Sequence, residues 1–185
     1  LESWTKTLLI SYKYLSTIVS TIDEMVGKIS LNSYIYNRKS TCDTMGQFDK
    51  IIELNDRKCN LINLKVITEE ALGKLKEKEL RIAMLIYVDG LTCDETASAM
   101  GISRRTVFRK KNIILDKITK VLKEKYSCEY FMKNYINEQW LMELYYYYCN
   151  KAKTMTIEQT IDLAEEVDSG RAIYKTIKEL QRSIA

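Results

Sequence analysis

The chain has 185 residues, 46% hydrophobic and 29% charged, with a formal net charge of +4, which suits one or two soluble domains with a real core. It contains no His and no Pro, so the commonest general base and zinc ligand is missing and nothing interrupts long helices. The five cysteines (Cys42, Cys59, Cys93, Cys128, Cys149) form no C-x-x-C pair, no apolar run approaches the ~20 residues of a membrane span, and no signal-peptide pattern opens the sequence.

Those features lead us to expect an all-α, cytoplasmic protein with reduced thiols, no metal and no cofactor. Within residues 3–29, Leu8, Tyr12, Leu15, Val19, Ile22, Val26 and Ile29 recur at alternating spacings of four and three. This heptad predicts a long helix, packed either on its own chain or as a coiled coil between two chains. Ile18 and Met25 widen the stripe. Residues 30–46 lose the period and collect Ser, Asn, Thr and Asp, the composition of a loop. A second helix is predicted from about Gln47 to Gly73, with apolar Phe48, Ile51, Ile52, Leu54, Leu61, Ile62, Leu64, Val66 and Ile67. Its broader stripe implies more than one neighbour. Residues 1–73 thus read as a long antiparallel helical hairpin.

Residues 74–125 form the second predicted segment. Leu75, Leu80, Ile82, Ala83, Leu85, Ile86 and Val88 belong to a short buried helix ending at Asp89-Gly90. The stretch Leu91–Lys111 then has the grammar of a helix-turn-helix. Thr92 with Glu95 is a capping box, Ala97 is small where two helices cross, and Gly101 supplies a positive φ between apolar Met100 and Ile102. Ser103 caps the next helix and Val107 points back into the angle between the two. Arg104, Arg105, Arg109, Lys110 and Lys111 fall in the first turns of that helix, with no acid from Arg104 to Leu115. A solvated helix start favours acids, because the dipole favours anions there. A cationic start needs another reason, and a phosphate backbone supplies one. Residues 74–125 carry thirteen Lys and Arg against seven Asp and Glu, a net +6, whereas residues 1–73 are neutral and 126–185 carry −2. The basic excess of the whole chain sits in this block, the electrostatic footprint expected for nucleic acid. Ile114, Leu115, Ile118, Val121 and Leu122 continue the second helix to about Lys125, further than reading DNA requires.

Residues 126–185 are expected to be a C-terminal helical region for oligomerisation or partner binding. Residues 126–149 are rich in Tyr, with Phe131, Trp140, Leu141 and Leu144. On one continuous helix Tyr130, Asn134, Asn137, Leu141 and Leu144 share a face, as do Phe131, Tyr135 and Glu138. Four consecutive tyrosines, Tyr145–Tyr148, cannot all be buried on one helix. Scarce Lys and Arg there favour core or interface packing over a base-stacking platform. Thr156 and Gln159 form another capping box, followed by Ile157, Ile161, Ala164, Val167, Ile173, Ile177, Leu180 and Ile184.

Residues 75–122, with KEKELRIAMLIYVDGLT, then E-T-A, then G-I-S-R-R-T-V-F-R-K and I-I-L-D-K-I, resemble the −35-promoter-binding domain (region 4) of sigma-70 factors. With the preceding hairpin, the chain is similar to small sigma-like regulators of phages and prophages of low-GC Gram-positive bacteria. The likeness is weaker over residues 8–73 and absent over 126–185. Thr96 and Lys110 depart from it, standing where apolar residues are usual, and no counterpart of the −10-melting domain is found. The resemblance implies a sequence-specific double-stranded DNA-binding transcriptional regulator, with RNA polymerase as a second partner through the lead-in helix. A homo-oligomer is also expected. The resemblance places Arg104, Arg105, Phe108 and Arg109 at bases or phosphates. Thr106 also points toward the groove if Ser103 is the cap. An Arg grips guanine O6 and N7 bidentately, while Phe108 suits a thymine methyl. Lys110, Lys111 and Asn112 lie over phosphates, and Thr92 and Ser103 add hydroxyl donors. The alternatives are a small terminase-type packaging protein and a helical interaction module that touches no DNA. An enzyme is the least supported reading, since there is no phosphate-cradling Gly loop and no nucleophile with a visible base.

Overall fold

The computed structural model describes residues 1–36 and 44–151, and among these there is no strand. Seven α-helices follow one another: α1 (Glu2–Tyr36), α2 (Thr44–Leu72), α3 (Glu77–Ala83), α4 (Cys93–Met100), α5 (Arg104–Lys125), α6 (Cys128–Tyr135) and α7 (Gln139–Lys151). A single π turn, Met84–Val88, extends α3. The all-α expectation and the antiparallel hairpin of α1 and α2 both hold. Cys42 and everything expected of residues 152–185, including the Thr156 capping box, lie outside the described residues.

α1 is helical through Tyr36 and α2 begins at Thr44, so the helices claim both ends of the stretch expected to be a loop. The heptad of α1 is real, and Leu8, Leu15 and Ile22 of the predicted stripe are buried together with Ile18 and Met25, but its intervening positions are shifted. Trp4, Leu8, Ser11, Leu15, Ile18, Ile22 and Met25 are buried, whereas Tyr12, Val19, Val26 and Ile29 are only half-buried. A polar residue inside the seam disguised it: Ser11 is buried because its hydroxyl donates to the Leu8 carbonyl (3.0 Å). This seam faces α2, where Leu54, Leu61, Leu64, Ile67, Thr68 and Ala71 are buried.

The start of α1 reaches the other end of the molecule. Trp4 is stacked between Phe131 of α6 (centroids 5.1 Å) and Tyr145 of α7 (4.4 Å). Next to it, the Thr5 and Thr119 hydroxyls bond at 2.8 Å, fixing α1 to the far half of α5. One hydrophobic cluster takes residues from α1, α2, α3, α5, α6 and α7, so the three sequence segments share a core. The far half of α5 supplies Ile114, Leu115, Ile118 and Leu122 to it, which accounts for its length.

Two further expectations are corrected. The lead-in helix does not stay α-helical: beyond Ala83 the Asp89 N–H bonds to the Met84 carbonyl five residues back. A π turn holds an extra residue and rotates the side chains beyond it. Tyr87 is therefore buried, while Leu85, Ile86 and Val88 are half-buried. Residues 126–149 do not form one helix either. The chain breaks between Tyr135 and Gln139, where Glu138 is buried as the partner of Arg57 on α2 (2.6 and 2.8 Å) and of the Trp140 indole N–H (2.9 Å). Of the four tyrosines, Tyr147 is buried and Tyr146 is exposed, as a single helix requires.

Candidate nucleic-acid interface

The two-helix unit is built by local chemistry. The Thr92 N–H donates to Glu95 Oε2 (2.7 Å) and the Glu95 N–H returns to Thr92 Oγ1 (3.3 Å), so the capping box opens α4. These bonds stabilise the charged carboxylate and hold the Glu95 pKa below its ordinary value. Gly101 ends α4 with φ +63°, and the Ile102 N–H reaches back to the Ala97 carbonyl (3.1 Å) while the Gly101 N–H meets that of Ser98 (3.3 Å). That pair of bonds is a Schellman closure, which needs a left-handed residue. Ser103 then caps α5, accepting from the Thr106 N–H (3.3 Å). The angle between the helices is filled by Val107, Thr96 and Ala97, all buried.

Behind the unit, Glu79 of α3 is clamped. It accepts from the Lys76 N–H (3.2 Å) and from Lys117 Nζ on α5 (2.6 Å). The Lys117 ammonium holds its carboxyl below the usual range. The Leu91 N–H closes the turn before α4 onto the Leu85 carbonyl (2.9 Å), with Gly90 at φ +73°. The first turns of α5 are therefore carried on a buried, hydrogen-bonded base.

With Val107 anchored, the opposite face of α5 is turned out. Arg105, Phe108, Arg109 and Asn112 are exposed, Phe108 to 60%, at the i, i+3, i+4, i+7 spacing of one helical stripe. The other expected site residues lie off this stripe. Arg104 leans toward Asp94 on α4 (3.4 Å), with both side chains open to solvent. Thr106 is half-buried and its hydroxyl bonds to that of Ser103 (2.9 Å). Lys110 and Lys111 are half-buried on the flank toward the π turn, and Lys111 Nζ lies 5.8 Å from the Tyr87 ring centroid. The Thr92 hydroxyl donates to Glu95 (2.8 Å). Two participants were not anticipated: Asp94, which meets Arg104 only across the turn, and exposed Ile113 beside the stripe. Ile113 could have been picked out as the apolar residue left over once Ile114 and Leu115 are assigned to the core.

The first turn of α5 contains no acid, and its last turn contains Lys123 and Lys125. Cations at a helix N-terminus oppose the dipole, so the clustered arginines gain nothing from the helix that carries them. Among the described residues no group of His, Cys, Asp and Glu has the arrangement of a metal site, and no helix is long and apolar enough to cross a membrane. A short helix crossing the start of a longer one, an αL glycine between them and an exposed face on the second helix define a helix-turn-helix. A family model described as ECF sigma factor matches residues 35–124, from the end of α1 almost to the end of α5. The match covers just under half of the chain, and over that segment the chain is similar to sigma-70-type factors. Neither the curated proteins nor the solved structures give a match.

Proposed function

We propose that this chain is a sequence-specific double-stranded DNA-binding regulator of transcription whose α5 lies in the major groove. One observation carries the reading. The acid-free start of α5 exposes Arg105, Phe108, Arg109 and Asn112 as one stripe, while the reverse of the same helix is anchored by Val107, Ile114 and Leu115. Arg105 and Arg109 have the fork that grips guanine, and Phe108 has the apolar surface that meets a thymine methyl. Arg104, Lys110, Lys111 and the hydroxyls of Ser103 and Thr106 flank the stripe on α5 and the Thr92 hydroxyl stands at the start of α4; these are the groups assigned to groove-flanking phosphates.

The sigma-like match over residues 35–124 supports the same reading and brings RNA polymerase in as a second partner. The exposed outer positions of α3, Glu77, Lys78 and Arg81, are the surface offered for that contact. Attribution to the phage and prophage regulators rests on the likeness of the short two-helix motif and its preceding hairpin. The test is selection from random duplexes. A single recurring site is expected, bound with an affinity that falls steeply as salt rises. Recovery of unrelated sequences, or none, overturns the proposal.

A further inference from the structure

α2 has two faces of the same period. Its inner stripe, Leu54, Leu61, Leu64, Thr68 and Ala71 with the Arg57–Glu138 pair, is consumed by α1 and the end of the bundle. On the opposite side Met45, Phe48, Ile52, Ile62 and Val66 are exposed, Phe48 and Ile52 by nearly 60% each. With exposed Asn55 and Cys59 they complete an unbroken alternation of three and four residues across three heptads. A solvated helix face has no reason to hold apolar side chains at a strict 3.5-residue period. A supercoiled partner helix does. Ion pairs and hydrogen bonds mark both borders of the stripe. Lys58 and Lys65 turn toward Asp23 and Ser16 of α1, while Asn63 and Glu70 turn toward Tyr130 and Lys125. No described residue covers the stripe between them.

We infer that this outer face of α2 is the seam of a parallel two-stranded coiled coil with a second copy of this chain. The residues flanking the seam select the occupant and its direction. In parallel register Ile51 lies across from the copy's Asp56, Lys58 from its Asn63 and Lys65 from its Glu70, with no like charges apposed. The antiparallel register that matches the apolar layers sets Asp56 against Asp56 and Lys58 against Lys58. The one amide in the seam points the same way: Asn55 meets Asn55 in the parallel pair and is satisfied, whereas an unrelated apolar groove leaves it unpaired. Cys59, a free and exposed thiol, faces its own counterpart one layer on. Because α2 leads directly into α3, the parallel pair carries both helix-turn-helix units at one end. If the DNA reading holds, the target is two related half-sites.

Sedimentation equilibrium of the reduced, DNA-free chain tests this. A particle of twice the 21.7 kDa chain mass is expected. The Phe48→Asp, Ile62→Asp double variant should fall to the single-chain mass with an unchanged thermal melt at low concentration, since both positions are exposed. Mild oxidation should join Cys59 to Cys59, identified by peptide mapping and lost in Cys59→Ser. A wild-type monomer, a dimer indifferent to the double variant, or a dimer whose oxidation leaves Cys59 unlinked overturns the inference. A monomer that still selects a duplex sinks the coiled coil and leaves the DNA reading intact. A dimer that selects none does the reverse.

Discussion

Gly101 holds φ at +63°, where an L side chain is strained, yet a Cβ placed there meets nothing within 4 Å. Gly101→Ala therefore changes backbone strain alone and should destabilise the fold by about 1–2 kcal/mol, read as a lower denaturant midpoint with an unchanged slope. Thr96 works in the opposite direction. It is fully buried in the angle between α4 and α5 and its hydroxyl has no partner. Thr96→Val keeps the shape and removes the orphaned group, so a gain of about 1 kcal/mol in the same denaturation is expected. Both residues sit where the sequence says a helix-turn-helix should have its turn and its crossing. The glycine, the Thr92 box and the Ser103 cap were legible because each depends on neighbours within a few residues. Arg104 was legible as a cation but not as the partner of Asp94, because that contact exists only once Gly101 has folded α5 back across α4.

At the scale of helices, period was readable and phase only in part: of the stripe read in α1, Leu8, Leu15 and Ile22 are buried while Tyr12, Val19, Val26 and Ile29 are half-buried. Spacings of three and four residues announced α1, but Ser11 inside the seam and Tyr12 beside it made the neighbouring stripe look continuous. The break between α6 and α7 has a similar origin. Asn137 is the one local turn-former at Ile136–Glu138, and the break brings the Glu138 carboxylate into the bundle against Arg57, eighty-one residues earlier. Glu138 is buried and accepts from both Arg57 and Trp140. Glu138→Gln strands a partly buried guanidinium and should lower stability by about 2–3 kcal/mol, measured by chemical denaturation. If the change is neutral, the bidentate pair does not hold the break in place. The π turn after Ala83 was also invisible, since a single inserted residue leaves no compositional trace.

Across the whole molecule, one core ties the helical hairpin to the helices that carry the arginines, so the exposed stripe of α5 is mounted on the shared bundle. The charge distribution that points to DNA was fully legible, because net charge by segment needs no structure. Its pH response can be derived too. Glu70, Glu79 and Glu95 have folded pKa values below the ordinary 4.5, each held down by a hydrogen bond to a lysine or to Thr92. Groups lowered in this sense stabilise the fold above pH 4.5, and that contribution disappears as pH falls through their folded values. With no histidine to titrate, denaturation midpoints should stay level from roughly pH 5.5 to 7 and drop only below the carboxylate range. A midpoint that moves near pH 6.5 contradicts this. The central claim is that the exposed stripe of α5 reads base edges. Its most direct test is an anisotropy titration of wild-type and Arg105→Ala chains on the selected duplex and on a scrambled one at fixed salt. The expected loss is about 1–3 kcal/mol on the selected site with nearly unchanged affinity for the scrambled one. Equal losses on both duplexes, or none on either, contradict the claim.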